Sequence, residues 1–173
     1  IQRRAERLGV ETVCFELPGD CTQQALLDVI DRVNGDGAIH GCLLLRPLPK
    51  QVDERAVCDA LSPEKDMDCV STGALARVFT NRTPIPPCTA QACMEILDFY
   101  GVDPAGKRAV VVGRSLVIGK PVAMLLLARN ATVTVCHSRT TDLPACCREA
   151  DILIAAAGQA GLIGADCLRP GQI

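Results

Sequence analysis

An apolar run from Arg108 to Val112 passes into Gly113-Arg114-Ser115-Leu116-Val117-Ile118-Gly119-Lys120-Pro121. A strand, a glycine turn and a helix start in that order present backbone N–H groups and the positive end of a helix dipole to a phosphate. The spacing departs from G-x-G-x-x-G, because Ser115 replaces the second glycine and the third comes one place late, at Gly119. An ordinary strand–helix turn stays open as the alternative. The next apolar strand ends in Cys136-His137-Ser138-Arg139-Thr140, and no carboxylate follows until Asp142. In a dinucleotide fold that strand end lies beside the adenosine ribose, where an NAD site carries Asp or Glu. Hydroxyls and a guanidinium suit a ribose 2′-phosphate, which a carboxylate would repel. The pattern favours NADP over NAD, against the alternative of a solvated loop.

In the first half, Pro63-Glu64-Lys65-Asp66-Met67-Asp68 gathers three acids in a turn. Such acids are usually solvated. The functional reading has one of them facing a cleft and accepting hydrogen bonds from a heterocycle's amine and ring N–H groups; the pattern leaves both open. Gly113-Arg114-Ser115-Leu116-Val117 is no nucleophile elbow, because the closing glycine of G-x-S-x-G is missing. Cys88 precedes a helix, a position that can lower a thiol pKa. No base stands near it in sequence, so a structural role is expected.

These residues need a frame to hold them. Val10 to Leu17 and Ile39 to Leu45 read as strands, the second closed by Arg46-Pro47-Leu48-Pro49. Residues 22–33 carry apolar positions 26, 29, 30 and 33, a helical stripe with Thr22 or Cys21 near its start. A short helix is expected over Asp53 to Leu61. Asn81 to Pro87 is the densest run of breakers, and the domain boundary is placed there, giving units 1–87 and 88–173. Beyond it, Thr89 is expected to cap a helix from Ala90 to Tyr100. Strands at 108–112, 132–136 and 151–157 then alternate with helices at 119–129 and 143–150. Continuous apolar strands alternating with helices imply an α/β fold whose parallel sheet is covered on both faces.

At 173 residues the chain suits one ordinary domain or two small ones. Hydrophobic residues at 49% and charged residues at 22% are globular proportions. Apolar stretches such as Val122 to Ala128 fall far short of the roughly 20 residues of a membrane span. A net charge of -2 gives no electrostatic case for nucleic acid, and only four aromatics leave no base-stacking platform. The eleven cysteines are scattered, odd in number and without a Cys-x-x-Cys pair, and the histidines are only His40 and His137. That suits neither a zinc site nor a disulfide framework, so no metal is expected. Reduced thiols acting as small hydrophobes in a cytoplasmic protein are expected instead. Both ends read as cut: Gln2 to Gly9 as the second half of a helix, Leu168 to Ile173 as the approach to a strand.

The chain resembles the bifunctional methylenetetrahydrofolate dehydrogenase/methenyltetrahydrofolate cyclohydrolase (FolD) family. The likeness rests on ordered blocks: His40-Gly41, Pro47-Leu48-Pro49-Lys50, Pro63 to Asp68, Pro87-Cys88-Thr89, Gly113-Arg114-Ser115 with Gly119-Lys120-Pro121, Ala131 to Thr140, Ala150 to Leu153 and Arg169-Pro170-Gly171. The resemblance implies two α/β domains around a cleft, the second a Rossmann-type sheet binding NADP, and usually a homodimer. It implies Gly113, Arg114, Ser115 and Gly119 at the phosphates, Ser138 with Arg139 at the 2′-phosphate, Asp68 gripping the pterin, and Pro47 and Leu48 beside the substrate. The implied activity is oxidation of 5,10-methylenetetrahydrofolate to 5,10-methenyltetrahydrofolate, with hydrolysis to 10-formyltetrahydrofolate second. The family's Tyr-x-x-x-Lys segment, which carries the hydrolytic lysine, would fall at or before Ile1. Leu45 stands at the family's glutamine, Cys69 at a glycine and Ala90 at a proline, so dehydrogenation is better supported than hydrolysis. A non-catalytic or monofunctional paralogue and an unrelated NADP-dependent dehydrogenase are the competing readings.

Overall fold

The computed structural model describes residues 1–83 and 85–173; Pro84, inside the breaker run, lies outside the described residues. The second half supplies the sheet. β1 (Arg108–Val112) lies between β2 (Thr132–Cys136) and β3 (Ile152–Ala155), all parallel. The centre strand alternates its side chains between two cores. Ala109 and Val111 face a cluster with Met94, Val122, Leu126 and Ile152, whereas Val110 and Val112 face one with Cys136, Cys147, Ala150 and Cys167. Burial on both faces is why this strand reads as an unbroken apolar run.

Among the described residues five helices precede β1 and one lies between β1 and β2. They are α1 (Gln2–Arg7), α2 (Gln23–Gly35), α3 (Glu54–Ala60), α4 (Thr72–Phe79) and α5 (Cys88–Phe99), followed by α6 (Gly119–Ala128) between β1 and β2. α7 (Leu143–Arg148) joins β2 to β3, and a 3-10 turn at Ala165–Cys167 packs on its side of the sheet. α5 and α6 cover the other face. Because α6 and α7 lie on opposite faces, the chain reverses its winding between β1 and β3. Open α/β sheets bind ligands at the carboxyl ends of strands beside such a reversal.

Local capping follows the sequence with two exceptions. The Thr22 hydroxyl accepts from the Ala25 amide at 3.2 Å, and the Asp53 carboxylate accepts from Arg55 and Ala56 at 3.0 and 3.1 Å. Thr89, however, caps nothing: α5 begins at Cys88 after Pro87, which puts Thr89 inside the first turn. The second exception is α4, which lies in a stretch where no element was expected. It is short, and its signal is the Ser71 cap, whose hydroxyl accepts from Ala74 N at 3.2 Å.

The first half departs most from expectation. Residues 10–17 form no strand, and Val10, Val13, Phe15 and Leu17 are all exposed. Among the described residues no neighbouring strand offers them a ladder, and an extended segment without one gains no sheet hydrogen bonds. Residues 39–45 make one parallel bridge, Cys42 to Asp66, in which Cys42 N donates to Lys65 O at 2.6 Å and Met67 N to Cys42 O at 3.3 Å. The strand-like alternation survives: Cys42 and Leu44 turn toward the core around Leu26, Ile30, Val57 and Leu61, while Leu43 and Leu45 turn out. Pairing stops there because the facing segment turns at once to satisfy Asp66.

A fourth, small cluster joins the halves. Ala74, Leu75 and Val78 of α4, with Cys69, pack against Met124 and Leu125 of α6. Among the described residues no helix is long and apolar enough to cross a membrane. Six cysteines (21, 58, 69, 136, 147 and 167) are buried, in keeping with their reading as small hydrophobes, whereas Cys14 and Cys88 are exposed. Leu126 is fully buried beneath the sheet, so Leu126→Ala is expected to lower stability by about 3 kcal/mol, measured as a shift of the urea midpoint at unchanged slope.

Candidate active site

The acidic turn resolves residue by residue. The Lys65 ammonium donates to the carbonyls of Val33, Asn34 and Asp36 at 2.6, 3.0 and 2.7 Å, closing the C-terminal end of α2. Glu64 pairs with Arg77 and accepts from the Ser62 hydroxyl at 2.7 Å; the Arg77 contact, followed by Ser62, holds its carboxyl down at about 2. Asp66 is 3% exposed and accepts from the amides of Asp68, Val70 and Ser71 at 3.4, 3.1 and 2.8 Å, and from the Ser71 hydroxyl at 2.7 Å. Of the three acids this leaves Asp68, half-buried, to face open space.

That space is a cavity of about 240 Å³ lined by residues from both halves. Asp68, Cys69, Val70 and Leu75 form one wall, Arg46, Glu54, Arg55 and Cys58 another, and Leu116 and Val117 of the glycine turn a third. The Arg46 Nη1 stands 3.4 Å from Glu54 Oε1. Arg55 is occupied elsewhere: its Nε lies 3.1 Å from Asp59 Oδ2, and its guanidinium also donates to the Thr72 hydroxyl. Burial pushes the Cys69 thiol up to about 11, with the Asp66 charge adding to it. Pro47 and Leu48 do not line this cavity. Pro47 is exposed, and Leu48 packs against the core under α2 and α3. Arg46, one residue earlier, is the wall residue that sequence reading passed over, since nothing in the spacing says which side chain of Leu45-Arg46-Pro47 turns inward.

Cys88 lies against the same acid. Its Sγ donates to Met67 O at 3.8 Å. Burial raises its pKa, and the charge and hydrogen bond of Asp68 add to the shift. These outweigh the start of α5, which the position alone suggested would lower it.

The glycine turn is built by close approach. Gly113 has φ +133°, and a Cβ there would collide with the carbonyl of Ala156 beyond β3; one at Gly119 would collide with the Gly113 carbonyl. The Gly113 amide is spent on Cys136 O at 2.8 Å, fastening the turn to the end of β2. Ser115 turns inward as well, its hydroxyl accepting from the amides of Ile118 and Gly119 at 3.1 and 3.3 Å. Gly113 and Ser115 thus shape the loop, and the amides of residues 114–117 find no acceptor among the described residues. At the end of β2, the Thr140 hydroxyl accepts from the His137 amide at 2.8 Å, and His137 Nδ1 accepts from the Arg139 amide at 3.1 Å. This tight turn leaves the side chains of Ser138 and Arg139 exposed and, among the described residues, unpaired. Asp142, the first carboxylate after the strand, caps α7 by accepting from Ala145 N at 3.0 Å.

A family model for the tetrahydrofolate dehydrogenase/cyclohydrolase NAD(P)-binding domain matches residues 87–173, and that for the catalytic domain of the same group matches residues 1–68. The chain belongs to the tetrahydrofolate dehydrogenase/cyclohydrolase family. Within this family it is 48% identical over 171 residues to the bifunctional protein FolD of Moorella thermoacetica, covering 99% of this chain and 61% of that protein. It is 48% identical over 170 residues to FolD 2 of Pseudomonas putida, covering 98% of this chain and 56% of that protein. The crystal structure of the Campylobacter jejuni bifunctional enzyme superposes with a TM-score of 0.95 at 33% identity, over 99% of this chain and 61% of that one. That of the Trypanosoma brucei enzyme, complexed with NADP cofactor and inhibitor, gives 0.86 at 41%, over 94% and 56%. The chain spans about three-fifths of the length of these tetrahydrofolate dehydrogenase/cyclohydrolase relatives.

Two expectations follow from this geometry. Because the Asp68 charge raises the Cys88 pKa, Asp68→Asn is expected to lower it and to speed iodoacetamide labelling of Cys88 at pH 8 by about threefold, read by peptide mass spectrometry. Asp66→Ala would strand the Val70 and Ser71 donors and is expected to lower stability by about 3 kcal/mol, followed by urea denaturation.

Proposed function

We propose that this chain binds NADP and a tetrahydrofolate one-carbon derivative and oxidises 5,10-methylenetetrahydrofolate to 5,10-methenyltetrahydrofolate. One observation carries the reading: Asp68 shares its cavity with Leu116 and Val117 of the glycine turn. A carboxylate suited to ring N–H groups and a loop suited to a pyrophosphate therefore border one space. Residues 1–87 form the folate unit in this reading and residues 88–173 the coenzyme unit, working as a cytoplasmic homodimer.

The coenzyme fits the residues present. Gly113 lets the main chain turn past the Ala156 carbonyl, and the amides of residues 114–117 are free to meet phosphate oxygens. Arg114 and Lys120 add cationic charge, while Ser138 and Arg139 offer a hydroxyl and a guanidinium to the 2′-phosphate. Asp142 does not compete there, since its carboxylate caps α7. When bound, NADP supplies the hydride acceptor.

The chain's own part is alignment. Asp68 takes the amine and ring N–H of the pterin and fixes its in-plane orientation. Leu116, Val117, Val70 and Leu75 supply apolar walls that exclude water from the carbon that loses hydride. Hydrolysis of the product to 10-formyltetrahydrofolate is the second activity of this reading. Glu54 and Asp68 are the carboxylates of the cavity wall, whereas burial pushes the Cys58 and Cys69 thiols up and so disfavours their thiolates.

Two measurements test the proposal. Asp68→Asn is expected to lower kcat/KM for methylenetetrahydrofolate by about 100-fold with NADP affinity unchanged, the scale of one hydrogen bond to a charged group. Arg139→Glu is expected to weaken NADP by about tenfold or more and to leave NAD nearly unaffected. Tighter binding of NAD than NADP by the unaltered protein, or full activity of Asp68→Asn, would sink it.

A further inference from the structure

The cavity wall carries a guanidinium whose donors are largely unspent. Arg46 has one side-chain partner among the described residues, Glu54, at a long 3.4 Å. A guanidinium offers five N–H donors in a rigid fork, so most of them remain. Its side chain is only 28% exposed. A cation held against a carboxylate at so loose a distance has donors left to take an acceptor from a ligand. Arg55, the other arginine of the wall, is held by Asp59 and Thr72 and has less to give. Leu45 is 66% exposed and turned out of the site.

The cavity thus carries the Asp68 acceptor on one wall and the Arg46 donor, with Glu54 beside it, on another. Its volume of about 240 Å³ lies below the roughly 300–1,000 Å³ of sites for drug-sized ligands, which suits a single fused ring. A 2-amino-4-oxo pyrimidine edge presents an amine, a ring N–H and a carbonyl in sequence. A carboxylate satisfies the first two and leaves the carbonyl unread. We infer that Arg46 donates to that carbonyl, so that Asp68 and Arg46 together select a 2-amino-4-oxo ring over a 2,4-diamino ring. The inference rests on the folate reading of Asp68 and adds the residue that sets ring specificity. Discrimination arises because a 4-amino group would face the guanidinium donor to donor and leave both unpaired.

The experiment measures competitive inhibition of the intact protein by folic acid and by its 2,4-diamino counterpart. The unaltered protein is expected to favour the 4-oxo compound by about tenfold or more. In Arg46→Met, which keeps the apolar stem, that ratio is expected to fall to about one with NADP affinity unchanged. Arg46→Gln, which keeps an N–H donor without charge, is expected to hold an intermediate ratio. Glu54→Gln is expected to keep the preference, since Glu54 only steadies the guanidinium. A wild-type ratio in Arg46→Met, or in Arg46→Gln should the first variant not fold, overturns the inference; so does a loss in Glu54→Gln as complete as in Arg46→Met. Failure of the underlying reading looks different: Asp68→Asn would then bind both compounds as tightly as the unaltered protein does.

Discussion

The buried carboxylate of Asp66 is the contact on which the candidate site rests. A carboxylate withdrawn from water is costly unless its oxygens are met by donors, and here three amides and a hydroxyl from the next five residues meet them. Satisfying it bends residues 66–71 into one tight loop. That loop delivers Asp68 to the cavity wall, and it brings Ser71 to the start of α4. The same hydroxyl that donates to Asp66 accepts from Ala74, so loop and helix share one hydrogen-bond chain. Lys65 pins the other side of the turn to the end of α2. A carboxylate at the cavity wall is thereby positioned by interior electrostatics.

The glycine turn answers a different constraint, that of space. β1 and β3 end side by side, and the main chain leaving β1 must slip past the carbonyl of Ala156 before α6 can start. Only a residue without a Cβ passes at φ +133°. Gly119 is needed for the same reason, because α6 begins directly against the Gly113 carbonyl. The departure from the common glycine spacing is explained by Ser115. Its hydroxyl fills the place of a helix cap, holding the amides of Ile118 and Gly119, and this moves the close contact one residue along the chain.

The second half was readable because its short apolar or β-branched strands alternate with helices, and burial on both faces marks the central strand as an apolar run. The first half was not. Its apolar segments at 10–17 and 39–45 look the same as strands, yet strand formation depends on a neighbour that no local pattern specifies. The pattern of residues left three acids open and only the family resemblance pointed to Asp68; the physical reason for that choice appears when Glu64 and Asp66 are seen to be engaged. Arg46 was invisible because the direction of a side chain in a proline-rich bend depends on what packs beneath it. The two exposed thiols, Cys14 and Cys88, were equally hidden, since burial of a lone cysteine is a tertiary property.

The seam between α4 and α6 contains Leu75, Met124 and Leu125 with small residues around them, and no salt bridge crosses it among the described residues. A thioether side chain adapts its shape more readily than a branched one. The carboxylate rides on one side of this seam and the glycine turn on the other. The width of the gap between them is therefore fixed by a thin layer of apolar side chains rather than by a charged pair.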